Sequence, residues 1–409
     1  MTDTRAGAAT VDYPYRHVVA GLAAAILLPL AVGAFLLYSQ AHVLASSANF
    51  NPSVLNEEWR GEATPLEVLA RSDLLPMYGS SELVVAMPNR VTDFFASYPT
   101  GFAVVPIGAR GYPPLSMAMG IASLGGAVRN RRIVVSLSGS WFLGDQAKFD
   151  TVNFQTHFSE LQAGDVIFRG ALPIALRRRF AKRILSYKPL AEVDPLLGTA
   201  LSCLATSCAI ERFLPVLQPL WLLQSLPRRV RDYAQLDASL RGARAPAHVA
   251  SSVNWDTLVS TSDSIWGLQS RGNPFGILDS IWPVAQTRLS AGHNTTTDSA
   301  FVAGMEGTAI WDDLDLLLAT LQALGARPLV LSTPLKGAYW DYVGASAAAR
   351  SRVYARLDSV TTRYRTPARN FGAYDADTHF LSDMRSHLSR KGWAVYDQTI
   401  NAFYHDSLR

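Results

Sequence analysis

The sequence predicts an α/β fold built on a parallel sheet, and three observations predict it. Short apolar runs end in Gly- or Ser-rich turns at "MYGSSELVV" (77–85), "FAVVPIGARG" (102–111) and "RRIVVSLSGSWF" (131–142). The segments between them, such as "PPLSMAMGIASLGGAVRN" (113–130), have helical spacing and end on Gly or Asn. The pattern returns late in the chain, where "EGTAIWDDLDLLLATLQALG" (306–325) reads as an amphipathic helix and "ARPLVLSTPL" (326–335) as a strand ending in a turn. In parallel sheets, ligand sites form beyond the C-terminal strand ends. All three early turns fall at such ends.

Each remaining segment has its own reading. Residues Val18 to Tyr38 carry no charge, and that length matches the ~20 residues needed to cross a hydrocarbon core. The run is long for a signal-peptide core, so it reads as an uncleaved anchor, although "HVLASSA" after it holds small residues. Arg5 and Arg16 precede it and no Lys or Arg follows until Arg60, which leaves the N-terminus in the cytoplasm and the rest outside. The expected organisation is a cytoplasmic tail (1–17), a transmembrane anchor (18–38), a connector running into helix (39–70) and an extracytoplasmic domain (71–409). That domain carries an insertion of helices and loops at 150–300. Residues 251–305, rich in Trp, Ser and Gly, read as loop. Helical spacing resumes at 345–366, and a polar loop leads into a terminal helix.

Two segments of the insertion admit two readings each. "LRRRFAKR" (176–183) is either a solvated helix face or a contact for anionic lipid or polymer. "AIERFLPVLQPLWLLQSL" (209–226) is broken by Glu211, Arg212, Pro215 and Pro219, which argues against a second span. It is either an amphipathic segment on the membrane or a membrane partner, or a core helix. Cys203 and Cys208 can pair only across a bend, since a regular helix turns their side chains apart. The composition, 49% hydrophobic and 17% charged, supports a real core. A net charge of +4 is too weak to point to nucleic acid, and no Walker, GxGxxG or zinc-knuckle pattern occurs.

Metal-free acyl chemistry needs a nucleophile, a base held by an acid, and donors for an oxyanion. Ser81 is the candidate nucleophile, just past a strand end, with Ser80 competing. The alternative is that Gly79, Ser80 and Ser81 form only a turn or helix cap ahead of Glu82. Of the eight histidines, His387 stands out, four residues after Asp383, because a carboxylate can hold an imidazole tautomer. His379, with Asp375 and Asp377 nearby, is its rival. No HExxH or cysteine set suggests a metal. Gly108 and Gly111 are candidate oxyanion donors through their backbone N–H groups, and Ser140 through its side chain.

These residues carry a resemblance. "GSSEL", "IGARG", "SGSWF", "PLKGAYWDYVG" and "FLSDMRSHLSRKGW" are similar to the motifs of the DltD family, membrane-anchored SGNH/GDSL-like proteins of D-alanyl transfer to teichoic acids. The resemblance implies an SGNH-hydrolase-like sheet, with Ser81 as nucleophile, His387 as base (from its spacing to Lys391, Gly392 and Trp393) and Asp383 as acid. Trp141 and Trp340 would shape the pocket or pack the core. The chain departs from the family twice: three residues rather than two separate the Asp from the His, and Gly-Ser-Trp-Phe replaces Pro-Gln-Trp-Phe, putting Ser140 where an amide stands. The implied function is extracytoplasmic acyl transfer or ester hydrolysis on a cell-envelope polymer, without a cofactor. The implied partners are a DltB-like membrane-bound O-acyltransferase, an acyl carrier, the polymer acceptor and the membrane. The competing reading is a non-catalytic SGNH-like partner that binds the carrier or scaffolds the membrane complex.

Overall fold

A computed structural model describes residues 15–46, 61–98, 100–144, 147–189, 192–240, 252–289 and 292–408. The tail before residue 15 and the connector at 47–60 lie outside the described residues. Five strands form one sheet: β1 (Leu74–Gly79), β2 (Ala103–Gly108), β3 (Arg132–Leu137), β4 (Arg327–Ser332) and β5 (Ala368–Arg369). Their order is β2-β1-β3-β4-β5, and every pairing is parallel. In this order the chain reverses direction across the sheet at β1 and β3, so a crevice opens beyond their C-terminal ends. The three predicted turns all border that crevice.

Successive side chains in a strand point to opposite faces, and both faces here are apolar. Met77, Val134, Leu329 and Leu331 join Phe94, Phe95, Trp393 and Ile400 on one side. Tyr78, Ile133, Val135 and Val330 join Leu115, Met119, Leu314 and Leu317 on the other. Burial on both faces explains why the strands read as short continuous apolar runs rather than alternating ones. The helix Ile310–Leu324 ends on Gly325 in the left-handed conformation, as its sequence predicts.

The segment between β3 and β4 is mostly helical. Residues 251–305, read from sequence as loop, contain the helices Trp255–Gln269, Trp282–Leu289 and Asp298–Gly307. The signals were caps: Asn254 accepts the N–H of Thr257 at 3.1 Å, and Thr297 that of Ala300 at 3.2 Å. The helix Leu214–Leu240 combines features of both its readings. Leu214, Trp221 and Leu236 are buried, while Phe213, just before it, Val216, Leu220 and Leu223 are exposed. Cys203 and Cys208 are disulfide-bonded, and the bend between them is Ser207 in the left-handed region.

The arginine run belongs to the helix Ile174–Tyr187, and it is neither a solvated face nor free for lipid. Arg178 pairs with Glu211, Arg179 with Asp315 at 2.7 Å, and Arg183 with Asp313 at 2.7 Å. These pairs staple the helix to Ile310–Leu324. Asp313 is only 1% exposed, so removing Arg183 strands a buried carboxylate. Arg183→Ala is expected to lower stability by about 3 kcal/mol, read from the denaturation midpoint of the full chain. A midpoint equal to wild type would refute the staple.

The helix Tyr15–Ser46 contains the uncharged run at 18–38. Val18, Val19, Leu22, Leu27 and Leu28 are exposed, and part of its side chains lies outside the described residues. Over the described residues, no helix is long and apolar enough to cross a membrane.

Candidate active site

The site is built where β1 ends. Gly79 and Gly108 are in register at the ends of β1 and β2. Gly108 has φ +146°, and a Cβ there would lie 2.0 Å from the Gly79 carbonyl oxygen. Only glycine allows the two strand ends to approach so closely. The chain then turns into a short 3-10 helix, Ser81–Leu83, that begins on the candidate nucleophile. Glu82, the next residue, is buried, and its Oε1 accepts the Ser80 N–H at 2.8 Å. Burial pushes the Glu82 carboxyl up.

From the far end of the chain, the segment before the helix Arg390–Tyr404 folds into a small hairpin. Leu381 and Leu388 bridge antiparallel, and Ser382 donates its N–H to the His387 carbonyl at 2.8 Å. Ser389 caps the helix by accepting the Gly392 N–H at 3.1 Å. Gly392 is required there, because a Cβ would lie 2.3 Å from the Phe380 carbonyl oxygen. Trp393 is buried in the core below. The Lys-Gly-Trp spacing read from sequence is thus the start of the helix that seats the hairpin.

The hairpin brings His387 to Ser81. Ser81 Oγ lies 2.9 Å from His387 Nε2, and His387 Nδ1 lies 2.6 Å from Asp383 Oδ2. An ionised carboxylate only accepts, so Nδ1 carries the proton and Nε2 is left to accept the Ser81 hydroxyl. Asp383 does two tasks. While Oδ2 holds the imidazole, Oδ1 accepts the N–H groups of Arg385 at 2.9 Å, Ser386 at 2.9 Å and His387 at 3.2 Å. The third intervening residue is therefore accommodated as a turn wound around the carboxylate.

The electrostatics follow. Burial alone would raise the Asp383 carboxyl, but His387 and the N–H groups of Arg385 and Ser386 bring it down to about 2. Burial works to lower the His387 imidazole; Asp383 and Glu82 overcome it, against Arg110, and hold it above its ordinary 6.5. Arg110 is exposed at the same crevice. Neither Glu82 nor Arg110 was distinguishable by sequence from an ordinary turn residue.

The other expected residues are placed as follows. Gly111 (φ +74°) borders the nucleophile turn, but it donates its N–H to Ser80 Oγ at 3.1 Å. Ser140 follows β3, and its Oγ lies 2.9 Å from Ser138 Oγ. His379 is turned away from Ser81 and pairs with Asp263 at 2.8 Å. Asp375 holds Arg350 at 2.7 Å, and Asp377 holds Lys391 at 2.7 Å. Trp141 and Trp340 are partly buried against the core. A groove of about 510 Å³ runs along the outer side of the hairpin, lined by Ile277, Ile281, Val284, Tyr339, Asp383 and Arg385.

Comparison with known proteins agrees with this arrangement. The protein-family model described as "DltD protein" matches residues 51–405, a span that holds the whole sheet and all three members of the Ser81–His387–Asp383 chain. The chain belongs to the DltD family. It is similar to Protein DltD of Bacillus subtilis (strain 168), 22% identical over 372 residues that cover 88% of this chain and 89% of that one. It is likewise similar to Protein DltD of Staphylococcus aureus (strain NCTC 8325 / PS 47), 23% identical over 325 residues, covering 80% and 79%. With membership of the DltD family goes a general cell-envelope role, in the D-alanylation of teichoic acids.

Proposed function

We propose that this DltD-family chain is a membrane-anchored, extracytoplasmic serine acyltransferase or esterase that handles D-alanyl or related acyl groups. One observation carries the reading: the unbroken chain from Ser81 Oγ through His387 to Asp383, at 2.9 and 2.6 Å. That is the geometry of an activated serine. Ser81 Oγ attacks the carbonyl carbon of an activated acyl donor as His387 Nε2 takes its proton. The donor's leaving group departs with that proton, and the acyl group remains as an ester on Ser81. An acceptor hydroxyl, or water, then gives its proton to Nε2 and attacks the ester, which restores Ser81. Asp383 stays ionised throughout and stabilises the imidazolium. Backbone N–H groups near Gly108 and Gly111 and the Ser140 hydroxyl are the candidate oxyanion donors. For Gly111 to serve, its N–H must leave Ser80 Oγ when substrate binds.

The anchor in this reading is the helix Tyr15–Ser46, with Arg5 and Arg16 holding its start in the cytoplasm. The disulfide Cys203–Cys208 suits an oxidising compartment outside. The exposed face of Leu214–Leu240, with Phe213 56% and Val216 72% exposed, suits contact with a bilayer or a membrane partner such as a DltB-like O-acyltransferase. An acyl carrier and an envelope polymer complete the proposed partners.

One observation favours the second reading, a non-catalytic partner that binds the carrier or scaffolds the complex: the Gly111 N–H is already engaged by Ser80. A membrane-impermeant fluorophosphonate applied to intact cells separates the two. Covalent labelling mapped to Ser81 is expected. Labelling only after permeabilisation would overturn the orientation, and no labelling in either state would overturn the catalytic role.

A further inference from the structure

Ser81 stands on β1, and His387 and Asp383 stand on the C-terminal hairpin, so a 2.9 Å contact between them depends on how that hairpin is docked on the sheet. Apolar packing by Phe380, Leu381, Leu388 and Trp393 supplies the adhesion. Packing is non-directional, and on its own it does not fix a position to a few tenths of an ångström. A directional link is needed, and one buried residue supplies it.

Lys336 lies just past β4, at the start of the helix Gly337–Val343, and is 1% exposed. Its Nζ donates to two backbone carbonyls, that of Thr378 at 2.9 Å and that of Leu381 at 2.6 Å. Leu381 is the first residue of the hairpin's bridge and lies two residues before Asp383. Among the described residues, Lys336 forms no ion pair within 4.0 Å. A lysine fully buried on carbonyls alone is uncommon, because its desolvation is not repaid by a salt bridge. The neighbouring Gly337 N–H adds a parallel bond to the Asp375 carbonyl at 2.8 Å.

The geometry points to Lys336 as a positioning residue that ties the Asp383–His387 hairpin to β4 and so sets the distance between His387 and Ser81. It touches no reacting atom and acts through the hairpin. Burial pushes its amine down to about 7, against the pull of Asp383 and Asp377. The tie survives that titration, since a neutral amine still carries two protons for two carbonyls.

The experiment uses the full chain in detergent, with Lys336→Met (similar length, no donor) and Lys336→Gln (one amide group). Two readouts are taken. The first is the downfield proton resonance of His387 Nδ1–H and the ring's titration midpoint. The second is the rate of labelling by a fluorophosphonate. The groups facing His387 (Asp383, Glu82 and Arg110) are unchanged in both variants. For folded Lys336→Met, the downfield resonance is expected to disappear and the ring's midpoint to fall towards 6.5. Labelling should slow at least tenfold, within the 10²–10⁴ that a positioned base supplies. Lys336→Gln is expected to fall between Met and wild type, and it carries the test alone if the Met variant does not fold. A folded variant that keeps the wild-type resonance and midpoint overturns the inference. The labelling arm rests on the triad reading and the resonance arm does not: a wild type that shows the resonance but never labels would sink the catalytic role and leave Lys336 to be judged on the resonance.

Discussion

Replacing Ser81 or His387 by alanine is expected to lower acylation by an activated aryl ester about 10⁴-fold or more, and the double variant is expected to be no worse than either single one. The expectation comes from the geometry. Ser81 Oγ has one base within reach, His387 Nε2 at 2.9 Å, and a serine hydroxyl without a base is a weak nucleophile at neutral pH. An imidazole without the hydroxyl has nothing to activate. Groups that act as one unit show losses that do not add, so the double variant distinguishes a working pair from two residues that merely share a crevice. The measurement is the pre-steady-state release of the aryl alcohol from the full chain, with circular dichroism to check the fold. Single variants within tenfold of wild type would refute the mechanism. A double variant falling far below both singles would show that the two residues contribute separately.

The parts of this site that were legible in the sequence are those set by local chemistry. Strand ends showed as apolar runs closed by Gly or Ser, and Ser81, Gly108 and Ser140 all follow such ends. His387 was found through a short-range spacing, because Lys391, Gly392 and Trp393 begin the helix that seats its hairpin. What failed depended on distant partners. The arginines at 177–183 read as a surface charge run because Asp313 and Asp315, which neutralise them, lie about 130 residues away in the chain. Lys336 looked like any lysine after a strand, since nothing near it in sequence says that Thr378 and Leu381 will lie over it. Gly111 was read as a free donor, and the hydroxyl that takes its N–H belongs to Ser80, on another strand end. The helices within 251–305 were missed for a local reason: their Ser, Thr and Gly content outweighed the caps at Asn254 and Thr297. The extra residue between Asp383 and His387 was a doubt that spacing could not resolve, because the answer lay in which backbone N–H groups the carboxylate would collect.

That doubt leads to the second large effect, in Asp383→Asn. Asparagine keeps an oxygen that can accept from Arg385, Ser386 and His387, so the turn is expected to hold and the full chain to stay folded. Facing His387, the amide can present an N–H where the carboxylate only accepted, which favours the tautomer with its proton on Nε2. That nitrogen then cannot take the Ser81 proton. The acylation plateau is expected to fall by about 10⁴-fold, the size of loss found for the equivalent change in a serine protease triad. The pH profile should move as well, and its sign is fixed by the groups present. His387 works as a base only when neutral, so acylation rises with pH through its pKa. In the wild type that midpoint lies above 6.5, because Asp383 and Glu82 outweigh burial and Arg110. Without the Asp383 charge, burial and Arg110 oppose Glu82 alone, and the midpoint shifts to lower pH. The carboxylate's hold on the turn follows the opposite branch. Its folded pKa of about 2 lies below its ordinary 3.8, so the stability it contributes is present above 3.8 and is lost as pH falls towards 2. The profile between pH 5 and 9 therefore reports the imidazole and not unfolding. An Asp383→Asn chain whose plateau and midpoint both match wild type would show that Asp383 is only the frame of its turn. The acid that serves His387 would then have to be sought elsewhere, first at Glu82.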